Sequence, residues 1–69
     1  MTIAEVFILK LDKDIEKAKQ RGKNYWGRFD SYFSQYTINR MKDYCEERGY
    51  FIEIQKCDYH QLYDIIISW

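Results

Sequence analysis

The chain has sixty-nine residues, 46% of them hydrophobic and 19% aromatic, and its eleven basic and eleven acidic side chains leave no formal net charge. That length allows one domain, residues 1–69, which buries only about 60% of its unfolded surface and leans on large rings for its core. Two cysteines exclude a disulfide scaffold, no apolar run approaches the roughly 20 residues that cross a bilayer, and the first residues lack a secretory basic segment, so a reduced, cytoplasmic protein is expected.

Thr2-Ile-Ala-Glu5 fits a capping box, in which hydroxyl and carboxylate each satisfy an orphan amide of a helix start. Ile3, Phe7, Leu11, Ile15 and Ala18 then recur at helical spacing, and Arg21-Gly22 supplies a stop, which predicts a helix over residues 3–21. The competing reading is a strand at Val6–Leu11 followed by a helix capped by Asp12. Val6, Ile8 and Leu9 spread apolar surface beyond one stripe. They are expected either to lie under the rest of the fold or to form a homo-oligomer seam.

Residues 22–30 form a connector. Tyr25, Gly27 and Phe29 alternate with Asn24, Trp26 and Arg28, as in a short edge strand, with Gly27 marking a bulge or a close approach. Asp30 or Ser31 is then expected to cap a second helix running to Arg48. Its apolar face holds Phe33, Thr37, Ile38, Met41, Tyr44 and Cys45, and Tyr32 and Tyr36 fall to the side. Gly49 ends it, because glycine takes the left-handed conformation without steric cost.

The last third reads as two strands folded back on each other. Tyr50, Ile52 and Ile54 alternate with polar residues, as do Tyr63, Ile65, Ile67 and Trp69, around a four-residue loop, Asp58-Tyr59-His60-Gln61, suited to a type I turn. With Cys57 opposite Leu62, Lys56 faces Tyr63, Ile54 faces Ile65, Ile52 faces Ile67 and Tyr50 faces Trp69. Glu53 with Ile66, Gln55 with Asp64 and Phe51 with Ser68 then occupy the other side. A slip of one residue would set isoleucines against Glu53 and Gln55, so the pattern selects this register. The fold class expected is α+β: two amphipathic helices packed on a C-terminal antiparallel hairpin, with a short third strand at its edge.

Charge is uneven along the chain. Residues 10–28 carry +4 and residues 30–69 carry −3, an asymmetry that suits an anionic partner or head-to-tail packing of copies. Lys23, Tyr25, Trp26 and Arg28 interleave cations with rings, as single-strand nucleic-acid platforms do. The preceding lysines extend a basic track, so Lys17, Lys19, Lys23, Trp26 and Arg28 are the expected nucleic-acid contacts; a small nucleotide held at a subunit interface is a related reading. Acids interrupt that track, and no nucleic-acid-binding motif accompanies it. Tyrosine, tryptophan and arginine dominate binding hot spots, so Trp26, Arg28, Tyr32 and Tyr36 are the expected protein interface. Cys45, Cys57 and His60 have zinc-ligand chemistry but too few ligands at unconventional spacing, and no metal or cofactor is expected. His60 with Cys57 at a hairpin tip lacks the concavity that catalysis needs, so the chain is read as no enzyme.

Arg48-Gly49-Tyr50 leading into a strand, with a closing Ile65-Ile66-Ile67-Ser68-Trp69, resembles small bacteriophage-encoded accessory proteins over about the last third of the chain. The resemblance implies a phage or mobile-element protein that inhibits or modulates a host or defence component by binding, in the host cytoplasm, with no catalytic residues.

Overall fold

The structure is a computed structural model describing residues 2–56 and 62–69. Within them run α1 (Ile3–Gln20), β1 (Tyr25–Tyr32), α2 (Gln35–Arg48), β2 (Phe51–Lys56) and β3 (Leu62–Ser68). The three strands form one antiparallel sheet in the order β1-β3-β2. Both outer strands run against β3 and hence parallel to each other, so α2 is the crossover between them and β3 fills the gap it leaves.

Thr2 caps α1 as its sequence requires, its hydroxyl accepting from the Glu5 amide at 3.1 Å. Residues 6–11 are helical, which removes the competing strand. The buried stripe begins one residue later than the sequence suggests: Ala4 is covered, whereas Ile3, expected in the core, is 89% exposed. Successive residues of a helix point about 100° apart, so the first turn of α1 turns Ala4 toward the fold and Ile3 toward solvent. Leu11 and Ile15 are fully buried, and Phe7 packs on the core with its ring edge toward Phe33, 5.3 Å between centroids.

The start of α2 departs from the expected cap at Asp30 or Ser31. Both residues belong to β1, and Ser34 is the cap, its hydroxyl accepting from the Thr37 amide at 3.2 Å. The strand runs on to Tyr32 because it absorbs a bulge. Arg28 pairs with Ile65 and Ser31 with Tyr63, so Phe29 and Asp30 together oppose Asp64. Asp30 takes the left-handed conformation, φ 50°, and its amide donates to the Asp64 carboxylate at 2.9 Å. That bond satisfies a donor the bulge would otherwise leave outside the ladder. Thr37, Ile38, Met41, Tyr44 and Cys45 are buried on α2, with Phe33 just ahead of it, the face its periodicity predicts.

Gly49 ends α2 at φ 71° with its amide donating to the Glu46 carbonyl. A Cβ built there would meet nothing within 4 Å, so the cost of a side chain is backbone strain alone. Gly49→Ala is therefore expected to lose about 1–2 kcal/mol, read as a lower urea midpoint with an unchanged slope.

The β2–β3 register is the one the alternation selects, with Ile52 opposite Ile67, Ile54 opposite Ile65 and Lys56 opposite Tyr63. Tyr50 and Trp69 extend it, their rings 5.8 Å apart. The pairing of Cys57 with Leu62 and the turn at residues 58–61 lie outside the described residues. Ile65 and Ile67 on the central strand are fully buried beneath both helices. Among the described residues no helix covers the opposite face of the sheet: Tyr25, Phe29 and Phe51 stand 52%, 59% and 74% exposed. Among the described residues no helix is long and apolar enough to cross a membrane.

Candidate partner-binding groove

Pairing with β3 sorts the side chains of β1. Trp26 and Arg28 oppose the buried Ile67 and Ile65, so they point to the helix side of the sheet, whereas Tyr25 and Gly27 oppose Ser68 and Ile66 on the open side. Trp26 is half-buried against the core, and the Arg28 guanidinium lies 5.6 Å from its ring centroid. Trp26 thus supports Arg28 from behind by a cation–π contact.

Beyond Trp26, Arg28 enters an open groove of about 600 Å³. Tyr32 and Tyr36 line the same groove, joined by Phe7 and Phe33 at its base and Ile3 at its rim. Both helices begin here, since Thr2 and Ser34, the two N-caps, also line it. Among the described residues Arg28 is the only charged one on its walls, and it makes no ion pair with any of them. Helix N-termini carry partial positive charge, so the described lining of the groove is apolar and aromatic, with a positive field and no carboxylate. Three of the four residues expected at a protein interface meet here, with Trp26 as their support. Ile3 and Phe7, contributed by α1, were not in that set.

Val6 and Leu9 are about half exposed and continue from Ile3 along one side of α1, three residues apart. Ile8 differs from them, packing against the core. The apolar surface expected as a seam is therefore a ridge of Ile3, Val6 and Leu9 that runs out of the groove.

The basic set divides. Lys17 and Lys23 line a second hollow with Arg21, Asp14, Tyr25 and Trp26. Lys19 sits elsewhere, its ammonium donating to the Tyr50 hydroxyl and lying 4.7 Å from the centroid of that ring. The Tyr50 hydroxyl beside it holds the Lys19 pKa above its ordinary value. Arg28 belongs to the first groove, so the five residues do not make one continuous track.

Cys45 is fully buried, and burial pushes its thiol up to about 11. Cys57 and His60 lie outside the described residues, and among those described no three His, Cys, Asp or Glu side chains gather as metal ligands. Comparison with protein-family models, with curated proteins and with solved structures returned no match.

Proposed function

We propose that this protein is a non-enzymatic binding module that holds an acidic, apolar-rich segment of another protein in the groove between the starts of its two helices. The convergence of Arg28, Tyr32 and Tyr36 on one open concavity, with no carboxylate among the described residues that line it, carries the reading. Two tyrosines and an arginine offer large contact area at little rotamer cost, and a desolvated arginine gains most from a carboxylate partner. The ridge of Ile3, Val6 and Leu9 extends the apolar contact beyond the groove. The reading of the target as a host or defence component, inhibited or modulated in a host cytoplasm, rests on the resemblance of the last third of the chain to small phage-encoded accessory proteins.

Recovery of bound protein from cell extract, compared between wild type and Arg28→Ala with Tyr36→Ala, tests the groove. Trp26 is left intact because its truncation would also open the core. Each truncation at a hot spot costs about 2 kcal/mol or more, roughly thirtyfold in affinity, so the double variant should lose the specific partner while keeping its circular dichroism spectrum. Equal recovery by both proteins would overturn the assignment.

A further inference from the structure

Phe29 stands, 59% exposed, where two surfaces of opposite charge meet. On the open side of the sheet it lines a hollow with Glu53, Asp64 and Ile66. Around the edge of β1 it lines the second hollow, which holds Lys17, Arg21 and Lys23 against the single acid Asp14. The first hollow therefore carries two negative charges and the second a net two positive charges. None of these residues makes an ion pair among those described. Asp64 accepts from the Asp30 amide, and Glu53 has no side-chain hydrogen bond among the described residues.

We propose that the chain forms a two-fold symmetric homodimer through the open face of its sheet and the β1 edge beside it, with Phe29 near the axis. A two-fold contact repeats every interaction twice. The acidic hollow of each copy then faces the basic hollow of the other, and the rings of Tyr25, Phe29 and Phe51 supply the apolar centre that stable interfaces need. A nucleic acid fits the same place poorly, because phosphates seated by Lys17, Arg21 and Lys23 would run onto Glu53 and Asp64. A standard interface takes about 800 Å² from each partner, roughly one sixth of the 5100 Å² this chain exposes. Self-association is also a usual source of stability for a domain this small. The proposal goes beyond the groove reading: the groove shares no described lining residue with either hollow, so a contact through the hollows leaves both grooves open.

Sedimentation velocity over a roughly hundredfold concentration range, at low and high salt, reads the assembly. Wild type should sediment as a dimer that dissociates more readily in salt, and Phe29→Asp should be monomeric. Glu53→Arg alone and Arg21→Glu alone should each be monomeric, since each places like charges together twice. An equimolar mixture of those two variants should recover the dimer, because both contact sets become complementary again. All the altered side chains are exposed or half-exposed, and circular dichroism verifies that each variant folds. A wild type that stays monomeric throughout, or a mixture that does not associate, would overturn the proposal. So would a dimer abolished by Leu9→Glu and untouched by Phe29→Asp, which would move the contact to α1.

Discussion

Ile65→Ala is expected to cost about 2–5 kcal/mol, the usual penalty for emptying a fully buried isoleucine site. Ile65 sits on the central strand with no exposure, between Ile54 on one neighbour and the Arg28 position on the other, under both helices. A domain of this length has only about 3–10 kcal/mol in total. The substitution therefore removes a large part of the stability, and at the upper end all of it. Urea unfolding followed by tryptophan fluorescence measures the loss, since Trp26 and Trp69 both pack on the core. Ile66→Ala provides the control: one residue along, on the open face and half-exposed, it should cost about 1 kcal/mol or less. Equal losses at the two positions would contradict the sidedness of the sheet.

The second large effect is a loss of stability in alkali. Burial holds the Cys45 thiol at about 11 against its ordinary 9.0, and burial together with the hydrogen bond to Asp12 holds the Tyr44 hydroxyl well above its ordinary 10.0. Tyr44 donates to the Asp12 carboxylate at 2.7 Å, a bond that its ionised form could not make. In both cases the folded state keeps a proton that the unfolded chain releases. The resulting stability is complete below pH 9, begins to fall there for the thiol and near pH 10 for the phenol, and disappears as pH passes the folded values. The thiol alone accounts for about 2 kcal/mol by roughly pH 10.5. Urea midpoints measured at neutral pH and near that value should differ accordingly for wild type. Cys45→Ala should flatten the lower part of the decline and Tyr44→Phe the upper part. A wild-type midpoint unchanged between the two conditions would remove the account.

The isoleucines at 52, 54, 65 and 67 made the hairpin register legible, because any slip by one residue buries Glu53 or Gln55. The start of α2 was ambiguous for a local reason. Asp30, Ser31 and Ser34 are all good caps, and the choice among them depends on whether β1 ends before the bulge or after it. That is decided by pairing with Asp64, more than thirty residues away. The burial of Ala4 in place of Ile3 is likewise a matter of how the first turn is rotated against the fold, which periodicity leaves open by one residue. At the groove, Arg28, Tyr32 and Tyr36 were legible as the residue types that dominate binding hot spots, but Ile3 and Phe7 joined them only through tertiary packing. The division of the basic set was present in helical phase: Lys17 and Arg21 share a face with Asp14 and Ala18, whereas Lys19 is about 200° further round from Lys17.

The strand order has a consequence for how the protein comes into being. β3 follows every other described element in sequence, yet it is the only strand that β1 and β2 touch. While the chain is being made, neither outer strand has a neighbour to pair with until residues 62–68 have left the ribosome. The helices can coil early, but their apolar sides wait uncovered for Ile65 and Ile67. The sheet therefore forms in a single closure that waits for β3, and the interval before it is when the nascent chain depends most on the cell's chaperones.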